Sequence, residues 1–501
     1  MASTASTSAA TRALSHGDDA HSTTFRISVV SMTGAAIVND DASAADTIRS
    51  VKERVFAANR KLPVRRQRLV YRPGPHGIDP LPDDETLGGA GVARDGSAEL
   101  DVLLADLTEA EAFELGSKLL EVAQGGHTNN IIELLDDGAS IDFADGDGKT
   151  ALIMAVEGGH VACARLLMGA GADIEANAEY TFPSLPALLA AAYNGHPDCV
   201  RLLINAGAGK DARPETNLEM ALSLAVLGGH AGCVQHLLDA RADCHEANIQ
   251  TLRTVLHSAA ESGHVDCIRL LLDAGANKDA QTMDGRAPLM MAVETGHADC
   301  AHLLIEAGAD MEAKTSKDTG ECTALILAAQ KGRTDCARLL LDAGADKEAM
   351  DFRQYTALFS AIRDDHTECA RLLLDAGANQ EANCHRGYTA LMCAAGNGRA
   401  DCMRLLLDAG ADKEAQDENG STALMRATFA GHLNCTRLLV DAGADIEAKD
   451  KNGCTALQRL WKALSDRTRD DASGGLIIRR RREACEQLLE DAGANTDGLY
   501  E

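Results

Sequence analysis

The stretch GHVDCIRLLLDAGANKDA (Gly263–Ala280) sets a histidine three residues ahead of a cysteine and follows them with an amphipathic run. That spacing suits half a metal site, or a nucleophile beside its base, or plain packing. Repetition decides among them. The phrase returns as GHVACARLLMGAGADIEA from Gly159, GHADCAHLLIEAGADMEA from Gly296 and GRADCMRLLLDAGADKEA from Gly398. A second marker, the leucine of a Thr-Ala-Leu-like triplet, falls at Leu152, Leu188, Leu222, Leu256, Leu289, Leu325, Leu358, Leu391, Leu424 and Leu457, at intervals of 33 to 36 residues. A catalytic pair occurs once in a fold. A motif that recurs in phase at this period is the signature of stacked repeats.

Each unit reads as a turn, two short helices and a return. Asp417–Gly420 (DENG) is turn chemistry, with the glycine free to take positive φ. Thr422 is placed to cap a first helix, and Gly431 to end it. The run NCTRLLVDA puts Cys435, Leu438 and Leu439 at the i, i+3, i+4 spacing of a buried face. One unit cannot bury its own apolar side, so units must stack.

The phrase, including TVLHSAA from Thr254 and the recurring Gly-His, resembles the ankyrin repeat over residues 106–498. The resemblance implies an α-solenoid of helix–turn–helix units with β-hairpins: about ten repeats after an N-terminal cap (TEAEAFELGSKLLEVAQGGHTNNIIELLDDGA). The last repeat is interrupted by an insertion at about 466–482, whose Arg479–Arg482 read as a solvated loop or helix start rather than a nuclear signal. The in-phase cysteines lie one helix spacing apart, about 8–10 Å, too far for disulfides, and act as small hydrophobes. Five others (Cys244, Cys322, Cys384, Cys393, Cys454) fall mostly near hairpins, where reactivity is conceivable. An odd total of 15 cysteines suits a reducing compartment. His127, His160, His196, His230, His264, His297 and His432 follow the glycine that ends the first helix and read as interhelical hydrogen-bond donors. With no Cys-x-x-Cys and no His-Glu-x-x-His, no catalytic residue, cofactor site or metal site is expected.

The front of the chain differs. Residues 1–23 are small and polar and read as a disordered tail. Residues 24–105 alternate: FRISVV, QRLVY and ELDVLL have strand period, and TIRSVKERVF makes a helical face. In that order FRISVVSMTG, DTIRSVKERV, LPVRRQRLVY and LPDDETLGGAGV resemble ubiquitin, which implies a small α+β (β-grasp) domain. The run ADLTEAEA stands where the family ends in Gly-Gly, so the resemblance implies an integral domain rather than a conjugated one. The family's recognition patch maps onto Met32, Val70 and Leu103, with Arg68 beside it.

Charge and aromatics mark the candidate surfaces. Residues 24–105 balance 11 Lys+Arg against 11 Asp+Glu, whereas residues 106–501 hold 36 against 63. So acidic an array repels nucleic acid and favours basic client segments, although much of the charge is the repeated DAGADxEA. No apolar run is long enough to insert in a membrane. Only 3% of residues are aromatic. Even so, Phe352, Arg353 and Tyr355 share one hairpin, and His385, Arg386 and Tyr388 share the next. Tyr and Arg are frequent interface anchors. These features point to a monomeric, non-enzymatic adaptor of the cytoplasm or nucleus. Its array would grip a protein client while its front domain docks to ubiquitin-binding or proteasomal proteins. The rivals are a static scaffold or cytoskeletal tether with no ubiquitin link, and an enzyme or ligase subunit using the final insertion.

Overall fold

The computed structural model describes residues 24–30, 36–43, 67–71, 79–80, 100–104, 109–176, 185–208, 214–248, 250–384, 386–465 and 473–495. It describes two compact units, residues 1–217 and 218–501. Both are built from helix pairs. In the first unit the pairs are Glu109–Gln124 with Thr128–Asp136, Ala151–Glu157 with Val161–Gly169, and Ala187–Tyr193 with Pro197–Ala206. The N-terminal cap is the first of these, and its opening helix of 16 residues exceeds every first helix that follows it. In the second unit the pattern runs through Ala390–Asn397 with Ala400–Asp408 to Ala456–Ser465 with Ser473–Asp491.

The two helices of a pair are buried differently. A first helix is sandwiched between neighbours, so Ala390, Leu391, Met392, Cys393, Ala394 and Ala395 are all buried. Alanine is frequent there because the next backbone lies close. A second helix buries one stripe, as with Cys402, Met403 and Leu406. Burying each such leucine is worth about 1.5–3 kcal/mol, and the surface that covers it belongs to adjacent repeats. In Leu433–Asp441 the buried set is Cys435, Thr436 and Leu439, a correction to the expected stripe. Leu438 is half-buried, and Thr436 turns inward because its hydroxyl bonds back to the His432 carbonyl at 3.1 Å.

Threonine capping is observed at Thr150, Thr323, Thr356, Thr389 and Thr422, whose hydroxyls accept from the amide three residues on at 3.3–3.5 Å. The hairpins are tighter than strands. Among the described residues of the repeats they close by isolated bridges such as Ala144–Thr150 and Cys384–Tyr388. An aspartate does the work of a ladder. Asp417 Oδ1 accepts the amides of Asn419 (2.7 Å) and Ser421 (2.8 Å), and Asp351 and Asp450 repeat the arrangement. Burial opposes ionisation of Asp417, but those amides and the paired Arg426 outweigh it and hold the carboxyl below its usual range.

Repeats are joined by the side chain that opens each second helix. In the first unit, His160 Nε2 donates to the Gln124 carbonyl and His196 Nε2 to the Glu157 carbonyl, both at 2.9 Å. In the second, His264, His366 and His432 do the same toward Leu227, Gln330 and Gly396 at 3.0–3.2 Å. Each ring lies over the preceding repeat's glycine. A Cβ on Gly398 would sit 2.5 Å from His432 Nδ1, and one on Gly332 2.5 Å from His366 Nδ1. The glycine is required twice over, by its positive φ and by the ring against it. Where the chain departs from glycine the partner changes too. Asp365 takes φ 68°, and the next repeat answers with Arg399, whose Nη1 pairs with its carboxylate at 3.1 Å.

The final insertion corrects one expectation. Arg479–Arg482 is neither loop nor helix start but lies within the helix Ser473–Asp491. Arg482 Nε donates to the Phe429 carbonyl at 2.7 Å, the bond a histidine makes elsewhere. Residues 466–472, by contrast, lie outside the described residues. In the front region an antiparallel hairpin joins Thr24–Val30 to Ala36–Ser43, and Gln67–Tyr71 pairs antiparallel with both Asp79–Pro80 and Leu100–Leu104. The tail 1–23, the helix expected at TIRSVKERVF and Met32 fall outside the described residues.

Two outcomes test this packing. Gly398→Ala meets both a left-handed backbone and the His432 ring, whereas Gly410→Ala, at φ 84° with nothing within 4 Å, meets only the first. Urea unfolding should show about 1 kcal/mol lost at Gly410 and at least about 2 kcal/mol at Gly398. Equal losses would contradict the ring contact. Asp417 has a lowered carboxyl pKa, so its stabilisation is complete above the unfolded value of about 3.9 and is lost as pH falls through the folded value. Asp417→Asn should therefore cost about 2 kcal/mol or more at neutral pH. The gap to wild type should close as unfolding is repeated below about pH 4.

Candidate protein-binding face

The repeat's invariant residues hold the frame, so recognition must come from positions that vary. Two of these meet on one face: the residue before the cap threonine and the residue eight positions later, near the end of the first helix. In the first unit they are Lys149 and Glu157, an ion pair at 2.8 Å. In the second unit the face opens with more ion pairs, Arg253 with Glu261 and Arg286 with Glu294. It continues with Gln330 donating to Cys322 Sγ at 3.6 Å. From there its chemistry changes.

Tyr355 stacks on Phe359 at 4.4 Å between centroids, with the Arg363 guanidinium 5.5 Å over its ring. Arg363 is held by both carboxylate oxygens of Asp364, at 2.6 and 2.9 Å. Tyr388 is covered by Arg426 of the following repeat at 3.6 Å. Arg426 is anchored from beneath by Asp417, whose side chain is fully buried. Arg459 reaches back to Ser421 Oγ at 2.6 Å and lies 6.0 Å over Phe429, and Arg482 covers the same ring at 4.8 Å. Cation–aromatic contact thus recurs across successive repeats.

The residues expected from the sequence are distributed over this surface. Phe352 is exposed at the hairpin tip with Arg353 folded 5.0 Å over its ring. Its amide donates to the preceding hairpin at Gly320. Tyr355 and Tyr388 are half-buried, each with its own arginine, and Arg386 is exposed. His385 is outside the described residues, as are the side chains of Arg68, Val70 and Leu103. Those last three lie on the paired strands Gln67–Tyr71 and Leu100–Leu104, where Arg68 is opposite Leu103. Sequence reasoning missed Arg363, Arg426, Arg459 and Phe429. A signal existed: the fourth residue after the cap, Leu327, Ser360 and Cys393 in earlier repeats, becomes arginine at 426 and 459.

The acidic excess has a structural use. Glu312, Glu348, Glu381 and Glu414 each accept the backbone amide of the next repeat's DAGAD-type loop at 2.8–2.9 Å, and Glu447 does so for Asn495 at 2.7 Å. Asp346, Asp412 and Asp445 of these loops, and Asn379 in the same place, accept from their own chain two residues on. Part of the charge that suggested basic clients is thus a ladder that ties repeats together.

All 15 cysteines are buried, including the five near hairpins where reactivity is conceivable from the sequence. Cys393 lies inside a first helix, and burial pushes its thiol up to about 12. Burial also raises Cys244, Cys322 and Cys384, away from the thiolate that reactivity needs. Among the described residues no cluster of His, Cys, Asp and Glu could hold a metal ion, and no helix is long and apolar enough to cross a membrane.

Comparison with known proteins places this geometry. The family model for ankyrin repeats matches residues 101–178, 181–248, 222–315, 277–351, 312–384 and 376–450. The crystal structure of the human ASB11 ankyrin repeat domain is similar at 26% identity and a TM-score of 0.39, over 46% of this chain and 98% of that one. The ankyrin repeat domain of Bcl-3, a member of the IkappaB protein family, is similar at 29% identity and a TM-score of 0.40, over 44% and 96%. No curated protein matches the chain. With the family model matching well over half of its length, the chain belongs to the ankyrin-repeat family.

Proposed function

We propose that the chain is a non-enzymatic protein–protein interaction adaptor. Its array binds a protein client on the hairpin and first-helix face. Its segment 24–105 is a ubiquitin-like domain that docks to ubiquitin-reading or proteasomal proteins through Met32, Val70 and Leu103, with Arg68 beside them. The first half of this reading is carried by one observation. The face of the second unit abandons the repeat's ion-paired pattern at Phe352, Arg353, Tyr355 and Tyr388, where exposed Phe352 and half-buried Tyr355 and Tyr388 each carry an arginine without disturbing the frame. The second half rests on the sequence resemblance. Joining two binding modules raises effective concentration without new contacts.

Affinity capture with three full-length baits separates the two halves. Wild type should retain a client together with ubiquitin-reading or proteasomal proteins. Met32→Ala/Val70→Ala/Leu103→Ala should lose only the latter. Phe352→Ala/Arg353→Ala, which alters exposed side chains, should lose only the client. If the triple variant captures the same set as wild type, docking is abandoned and a static scaffold is the better account. If the hairpin variant keeps its client, the binding face is elsewhere.

A further inference from the structure

The binding face of the second unit is chemically uneven, and the unevenness specifies a partner. Toward its N-terminal side each cation has a carboxylate at the same surface: Arg253 with Glu261 and Arg286 with Glu294, the four side chains being 16–44% exposed. Such pairs leave little charge to offer. From Tyr388 onward the arrangement separates cation from anion by depth. The carboxylates of Asp417 and Asp450 are 0% and 5% exposed, while the guanidiniums they anchor, Arg426 and Arg459, are 19% and 27% exposed. The protein presents the cation and hides the anion. Arg426 reaches Asp417 through Nη2, and its Nε is buried without a hydrogen-bond partner among the described residues, which leaves Nη1 as the nitrogen open to a ligand. Arg482 on Phe429 and exposed Arg353 and Arg386 extend the same character.

This is a local cationic, aromatic strip in a chain whose net charge is −28. Long-range repulsion disfavours polyanions such as nucleic acid. A short segment with a few carboxylates among apolar residues escapes that cost. It can place carboxylates against the nitrogens that Arg426 and Arg459 leave uncommitted, in charge-assisted contact. Its apolar side chains can lie on Phe352, Tyr388 and Phe429. A basic segment would find its charges facing guanidiniums.

We propose that the strip from Phe352 to Arg482 binds an extended acidic segment of a partner protein, with carboxylates on Arg426 and Arg459 and apolar side chains on the interleaved aromatic rings. The proposal rests on the adaptor reading and names its client's chemistry. About twelve residues suffice, since an extended chain covers roughly 3.3 Å per residue and the strip spans about four repeats set roughly 10 Å apart.

The test is selection of a displayed library of random peptides of about this length on the full-length protein. Binders are then compared between wild type and two charge-neutral variants, Asp417→Asn/Arg426→Gln and Asp450→Asn/Arg459→Gln. Each variant removes an arginine and its buried partner together, so no bare charge is left inside and net charge is unchanged. Enriched peptides should be acidic with interspersed apolar residues. They should bind each variant about tenfold or more weakly and bind Arg253→Gln/Glu261→Gln as they bind wild type. Enrichment of neutral or basic peptides, absence of any enrichment, or acidic binders indifferent to both variants would overturn the proposal. In those cases a client captured by wild type and lost with Phe352→Ala/Arg353→Ala still supports the adaptor reading, so the two fail separately.

Discussion

A recurring side-chain donor sets the register between neighbouring repeats. In most repeats the side chain that opens the second helix crosses to the preceding repeat and bonds the carbonyl near the end of its first helix, as His366 does to Gln330 and Arg333 Nε to Glu294. That carbonyl is an orphan of the helix end, and an unpaired one at an interface is costly. Filling it from the next repeat makes each helix end complete only in the presence of its neighbour. The glycine under the ring then cannot vary freely, because any side chain there occupies the donor's place. Burial supplies most of the energy and this contact supplies the register.

Registration explains what the remaining residues are free to do. Once glycine, donor and cap threonine fix the frame, the hairpin residue and the first-helix end tolerate change. In one stretch they form ion pairs, and in the next arginines over aromatic rings. The acidic loops belong to the frame as well: a glutamate such as Glu348 spends one oxygen on a backbone amide of the following repeat. Net charge and local surface charge therefore have different origins in this protein.

Much of this was legible in the sequence. The period gave the helix pairs, and Thr422 and Gly431 gave the ends of one first helix directly. The direction of the histidine bond was not legible, because spacing cannot tell a bond within a unit from one between units. His366 escaped notice because Asp365 stands where the glycine should be, and that exchange is intelligible only beside Arg399, 34 residues on. Arg482 was hidden by the insertion that displaces it from phase. The arginines of the binding face were missed for a related reason. At Tyr388 and Phe429 the ring and the cation over it belong to different turns of the period, so Tyr388 and Arg426 look unrelated until the repeats are stacked. The tyrosines themselves stood out only because aromatics are rare in this chain.

The central claim is that departures from the repeat on one face, and not the frame itself, make the binding surface. Hydrogen–deuterium exchange of the full-length protein with and without a selected acidic peptide measures this directly. The account predicts slowed exchange in 351–363, 384–388, 417–429 and 450–462, with 253–261 and 286–294 unchanged. Protection confined to the second helices, or spread evenly over every repeat of the second unit, would contradict it.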